Sequence, residues 1–377
     1  MAKRVLLGID FIGENFPAAL YTIQQWWYYV TRNNEQYDCI FGVSNFCNRH
    51  ASLPGTDVLT PNDVPRILRA FIPEKKLVQW TSDIDADLIA KIEKKSSAIP
   101  FFSEFNYGSV INRLLLLATS HDCDYLVRLD PGTLPPKTGI TFQDLMYSHE
   151  RRIASNKYTV VSQCYKNRLA LRDMFVKEGM KVKHAELIKE YTGINVDNQI
   201  TAGAMLTFKI PGVPAPCFPS DGNGALTMVW ASDDGIYSIL SKTKNQSVSL
   251  TEAPIERFDA EGKSKNPIEY YHGILGAVCL KTICDGYNLE QVRDQAQRFL
   301  NDLKDIIDPQ KCKKIGLTWD QMFSVDMIAP YNFLKNIQIG YQNYSRLLND
   351  WEKICKILGP TVAQKTCFSS VAETGYH

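Results

Sequence analysis

The chain has 377 residues, 45% of them hydrophobic and 22% charged, an ordinary balance for a globular protein. A formal net charge of +1 gives no broad attraction to nucleic acid or to a membrane surface. No apolar run reaches the length a membrane helix needs, and the chain is long enough for one large domain or a catalytic domain with an appendage.

Residues 4–9 (RVLLGI) form a short apolar run that reads as a central strand, with a polar glycine-containing loop at 10–15 after it. Residues 16–30 read as a helix opened by Pro17, and its aromatic end, Trp26 to Tyr29, reads as core packing. Strands are expected at 37–43 and 76–80, the second followed by the polar loop Thr81, Ser82 and Asp83. A short helix is expected at 62–70 and a charged one at 85–95. The stretch from 106 to 136 organises the rest: a helix with Asn106 and Ser109 near its start, four consecutive leucines from Leu114 to Leu117, a break at 121–124, and a strand at 125–127. Asp130 sits just past that strand, before Pro131, Gly132 and Thr133. It reads either as the residue that starts a tight turn or as a carboxylate at a strand's carboxyl end, where open α/β sheets bind ligands.

Beyond Asp130 the pattern changes. Helix is expected at 142–152 and, as a basic amphipathic piece, at 168–188. Strands are expected at 158–163 and 199–210, the latter with Ala202, Gly203 and Ala204 small enough for close backbone approach. A Pro- and Gly-rich loop spans 211–224, and a helix start is expected at Ser232 or Asp233, beside Asp234. Residues 241–250 are polar and β-prone, 258–266 read as a charged loop, and 267–280 contain His272. Apolar residues recur at helical spacing from Leu289 to Leu303 and from Phe333 to Leu358. Alternating strand, loop and helix give an α/β fold with a mostly parallel open sheet and flanking helices, plus a C-terminal helical appendage. The expected division is 1–285, with a nucleotide-binding half at 1–136 and an acceptor-binding half at 137–285, and then the appendage at 286–377. The appendage either packs on the first unit or makes a homo-oligomer contact.

Ten cysteines without a C-x-x-C pair argue against a zinc ribbon or a thioredoxin-type site. With no signal-peptide pattern, they point to buried thiols in a reducing cytoplasm. A G-x-G-x-x-G after the first strand, a P-loop and a G-x-S-x-G elbow are all missing, and the six histidines include no H-E-x-x-H.

The order of the remaining pieces resembles GT-A-type glycosyltransferases, which use nucleotide-sugar donors. Asp130-Pro131-Gly132-Thr133-Leu134-Pro135 stands where that family carries D-x-D, with Asp130 matching the first aspartate and Gly132 in place of the second. Ala202 to Met205 look like the family's small-residue strand beside the donor sugar, Ser232-Asp233-Asp234 is similar to its acidic acceptor-side helix start, and His272 resembles a late metal or phosphate contact. The resemblance spans roughly residues 4–280 and names no subfamily.

The resemblance implies a hexosyl transfer from a nucleotide sugar to a hydroxyl acceptor, and a visible base candidate without a covalent nucleophile points to inversion. It implies Asp233 or Asp234 as general base. It places donor contacts at Asp10, Phe11, Ser82, Asp83, Asn112, Arg128, Asp130 and Gly203. It also implies Mn²⁺ or Mg²⁺ on Asp130 and His272, with Gly132 unable to supply the second acidic ligand. Without that ligand, Arg128 is an alternative phosphate contact, because guanidinium forks fit phosphate oxygens. A strand-end ion pair with Asp130 is the other reading of Arg128. Two further functions stay open: a sugar-phosphate nucleotidyltransferase, and a non-catalytic glycosyltransferase-like binding protein.

Overall fold

A computed structural model describes residues 2–11, 16–32, 34, 36–45, 63–80, 107–137, 139–155, 160–165, 175–193, 205–215, 248–257, 267–314 and 331–366. β1 (Lys3–Phe11) lies inside the sheet because it is apolar on both faces: Val5, Leu6, Leu7 and Ile9 are fully buried. It pairs in parallel with β2 (Tyr37–Asn45), and β2 pairs in parallel with β3 (Leu77–Trp80). On its other side β1 pairs in parallel with β4 (Tyr125–Leu129).

The second half of the sheet changes direction. β7 (Met205–Lys209) runs antiparallel to β4 and to β6 (Val160–Tyr165), and β8 (Val248–Arg257) runs parallel to β6. The two-residue β5 (Thr133–Leu134) pairs antiparallel with the end of β8. The order is β3-β2-β1-β4-β7-β6-β8-β5. This is the mostly parallel open sheet with flanking helices that the alternating sequence pattern leads to.

Strand periodicity sorts the helices onto two faces. Val5, Leu7 and Ile9 face α1 (Phe16–Thr31) and α4 (Phe142–Ala154), whose Ile23, Trp26, Phe142 and Met146 join one core. A capping box between Thr141 and Asp144 starts α4. His149 ties α4 to the sheet: its Nδ1 lies 2.7 Å from Thr207 Oγ1, and its Nε2 lies 3.0 Å from Gln163 Oε1. An amide oxygen only accepts, so Nε2 carries the proton and donates to it.

Leu6, Leu126 and Leu206 face the opposite way, onto α3 (Tyr107–Ser120) and the second half of α9 (Tyr331–Thr366). A short α2 (Asp63–Leu68) precedes β3. A third core joins α5 (Lys181–Thr192), α6 (Pro267–Cys284), α7 (Leu289–Ile306), α8 (Pro309–Lys313) and the first turns of α9 through Leu187, Leu280, Phe299, Cys312 and Leu334. The helical part therefore draws on α5 and α6 as well as on segments beyond residue 285, and α9 belongs to two cores at once. No helix among the described residues is long and apolar enough to cross a membrane.

Three expected elements differ in extent. Of the helix expected at 168–188, residues 168–174 lie outside the described set and helix is described over Lys181–Thr192. Val176 forms an isolated bridge to Ile307, Asp308 N–H donates to Phe175 O, and Gly179 takes φ 79°, so residues 175–180 are a bridge and turn rather than helix. The strand expected from 199 is described from Met205, because residues 194–204 lie outside the described set. The last helix continues past Pro360 to Thr366, carried by the buried Leu358 and Val362. The charged helix expected at 85–95 and the loops at 216–224 and 258–266 lie outside the described residues.

The buried thiols follow from this packing. Burial pushes Cys39, Cys123, Cys279 and Cys355 up to about 12, so the nucleophilic thiolate is scarce at neutral pH. Native protein treated with iodoacetamide is expected to leave these four unmodified, and the same protein in urea to be labelled at all of them. Mass spectrometry of tryptic peptides reads the difference, and rapid native labelling of any of the four would contradict the burial.

Candidate functional site

The carboxyl ends of the parallel strands meet along one edge. In register, Asp10 lies beside Ser44, Ser44 beside Trp80, and Ile9 beside Leu129, the residue before Asp130. Met205, the first residue of β7, pairs with Leu129 and brings the chain back to the same edge. Such an edge, at the ends of strands in an open sheet, is where ligands bind.

Asp130 to Thr133 form the turn at its centre. Thr133 N–H donates to Asp130 O at 3.1 Å, and Gly132 has φ 91°. Proline second and a left-handed glycine third make a type II turn. The turn is bolted to α1: Gly132 N–H donates to the buried Thr22 Oγ1 at 2.8 Å, and Trp26 Nε1 donates to Thr133 O at 3.0 Å. The position that would hold a second aspartate thus needs a backbone conformation that favours glycine. Gly132→Ala is expected to cost about 1–2 kcal/mol, read as a lower urea midpoint at unchanged slope. An unchanged midpoint would remove the turn assignment.

The Asp130 carboxylate is ion-paired. Arg128 Nη2 lies 2.5 Å from Asp130 Oδ1, with side-chain exposures of 2% and 17%. Arg128 shares its sheet face with Leu126, on the α3 side. A second buried arginine, Arg113 on α3, lies over the Trp80 ring at 5.8 Å. Ser44 is fully buried at the same edge, and its hydroxyl has no hydrogen-bond partner among the described residues.

The remaining expected site residues fall in different places. Asp10 and Phe11 close β1 at the edge, with only their backbone described. Asn112 is buried and grips a neighbouring segment: its Nδ2 donates to Ala215 O at 3.0 Å, and Ala215 N–H donates to its Oδ1 at 2.6 Å. Tyr344 OH and Trp351 Nε1 of α9 donate to Pro214 O and Pro211 O, so α3 and α9 together fix residues 211–215. His272 lies in α6, with its side chain outside the description. Ser82, Asp83, Gly203, Asp233 and Asp234 lie outside the described residues.

No protein-family model matches the chain, and no curated protein does. Solved structures do. The mannosyltransferase PcManGT from Pyrobaculum calidifontis, in complex with GDP-Man and Mn²⁺, is 14% identical, with 94% of this chain and 88% of that one covered and a TM-score of 0.44. A structure of S. aureus TarS is 10% identical, with 94% and 92% covered and a TM-score of 0.39. The mannosyltransferase Ktr4p from S. cerevisiae, in complex with GDP, is 12% identical over 51% of this chain and 47% of that one, at a TM-score of 0.23. Two of the three are mannosyltransferases.

A divalent metal finds a poor donor set among the described residues. No three His, Cys, Asp or Glu side chains converge there, and the one carboxylate on the central turn is paired with a guanidinium. Mg²⁺ needs near-octahedral oxygen ligation, commonly anchored by one or two carboxylates. The described residues do not fit that group.

Sequence reasoning passed over Thr22, Trp26, Ser44, Trp80 and Arg113 as parts of this edge. For Trp26 the only signal was a large ring with a polar tip at a position otherwise suited to core packing.

Proposed function

We propose that the chain is a cytoplasmic glycosyltransferase that moves a hexose from a nucleotide-sugar donor to a hydroxyl acceptor, with inversion at the anomeric carbon. The observation that carries this reading is the Asp130 turn. It is an acidic turn anchored to α1 at the carboxyl end of β4, beside the end of β1, where an open sheet receives a nucleotide.

In this proposal Asp10, Phe11, Ser82 and Asp83 hold the nucleoside at the ends of β1 and β3. The small residue Gly203, just before β7, gives the donor sugar room. Arg128 fixes Asp130, and His272 contacts phosphate from α6. Asp233 or Asp234 removes the acceptor's hydroxyl proton as its oxygen bonds to the anomeric carbon. The bond from that carbon to the diphosphate breaks, and the nucleoside diphosphate leaves with the electron pair. Positive side chains at the edge oppose the charge that develops there. Asn112 acts at a distance, by fixing residues 211–215 at the start of the expected acceptor loop.

A thermal-shift panel of nucleoside diphosphates and nucleotide sugars tests the reading. A ligand that binds only the folded chain stabilises it by about 2.7 kcal/mol at a hundredfold excess over its dissociation constant. One base is expected to stand out, and its sugar conjugate to release nucleoside diphosphate when an acceptor is present. Pyrophosphate release from a nucleoside triphosphate would replace the proposal with a nucleotidyltransferase. Binding of a nucleotide sugar without turnover across an acceptor panel would replace it with a binding protein.

A further inference from the structure

We infer that Asp130 is the counter-ion of a buried arginine and not a metal ligand, and that a nucleoside diphosphate binds at this edge without a divalent cation. The second half of this inference rests on the nucleotide-sugar reading above; the first half does not.

Arg128 is almost entirely shielded from water, and its Nη2 lies 2.5 Å from Asp130 Oδ1. A guanidinium so placed depends on its carboxylate, because a buried charge without compensation is costly. A dication on the same carboxylate would sit within a few ångströms of that fixed positive charge, and in a poorly hydrated site the repulsion is weakly screened. The metal would have to share the carboxylate with the arginine or displace it, and the arginine, buried in β4, has no hydrated position to move to.

Three other oxygens at this turn already accept hydrogen bonds. Asp130 O accepts from Thr133 N–H, and Thr133 O accepts from Trp26 Nε1. Thr22 Oγ1 accepts from Gly132 N–H. Residue 132 has no side chain to offer, and its φ of 91° disfavours any replacement that would have one. The turn's own hydrogen bonds therefore compete with a cation for these oxygens.

The backbone register brings one further arginine position to the turn. Arg257, at the end of β8, lies opposite Thr133 in the antiparallel β5–β8 pair, three residues beyond Asp130. Arg128 thus precedes the turn in β4, and the backbone of Arg257 pairs with its last residue. With Arg128 held by Asp130, the diphosphate is assigned to Arg257, whose backbone is paired at the turn, because arginine binds phosphate oxygens without help from a cation.

The test uses the full chain and two separate readings. Mn²⁺ binding, followed by electron paramagnetic resonance without any nucleotide, is compared between wild type and Asp130→Asn. The expected affinities agree within about twofold, whereas a loss of about tenfold or more in the variant would overturn the assignment of Asp130. GDP and UDP binding is then measured by calorimetry in EDTA and in Mn²⁺. The better of the two is expected to bind equally well in both. Binding that appears only with Mn²⁺ would overturn the metal-free half while leaving the nucleotide-sugar reading intact. Binding of neither nucleotide under either condition would overturn that reading and this half with it, and leave the Mn²⁺ comparison to decide Asp130. Arg128→Met guards against a variant that merely misfolds. With its arginine gone, Asp130 is expected to gain Mn²⁺ affinity that Asp130→Asn in the same background removes. Failure of Arg128→Met to change Mn²⁺ binding would count against the ion pair as the reason.

Discussion

Asp130→Ala is expected to destabilise the chain by about 3–5 kcal/mol, far more than an exposed ion pair would cost. The reason is asymmetric burial. Arg128 has 2% of its side chain exposed, so losing the carboxylate at 2.5 Å takes from a shielded guanidinium its nearest anion. Arg128→Met is expected to cost much less, because Asp130 retains 17% exposure and water can hydrate it once the arginine is gone. Asp130→Asn should fall between the two, since the amide oxygen still accepts a hydrogen bond. Urea denaturation with a common slope reads all three. Equal effects from alanine at 130 and methionine at 128 would mean that burial is not what sets the cost.

The second large effect concerns chemistry. Replacing Asp233 and Asp234 together with alanine is expected to lower turnover by about 10²–10⁴, the range a general base supplies. Nucleoside diphosphate affinity should be unchanged, because the base acts on the acceptor and only as the new bond forms. A loss confined to KM would point to acceptor binding. Wild-type turnover in the double variant would remove both residues from the mechanism.

The elements that were legible in the sequence are those whose signal is local. Val5 to Ile9 read as a buried central strand because they are apolar on both faces, and they lie at 0% exposure between parallel neighbours. The turn at Asp130 was readable from Pro131 and Gly132, since each residue type suits one position of a type II turn. What the sequence hides is long-range. Thr22 meets Gly132 across 110 positions, Trp26 meets Thr133 across 107, and Asn112 meets Ala215 across 103. Nothing in the local pattern of α1 says that its inward polar groups secure a turn of the ligand edge. Residues 175–180 read as helix by composition, yet Val176 bridges Ile307, at the end of a helix much later in the chain. The tight Arg128–Asp130 pair was equally hidden, because it depends on burial rather than on spacing.

The helix α9 has a thermodynamic consequence. Its first turns place Leu334 and Ile337 among the helices α5 to α8, and its later turns place Tyr344, Leu347, Trp351 and Leu358 on α3 and the sheet. One rigid rod therefore seals two interiors. Neither interior can open without exposing apolar surface that the same helix covers in the other, so their free energies of opening are linked through it. The protein should melt as one cooperative unit, and a break in the middle of this helix would uncouple its halves and let one interior breathe while the other stays closed.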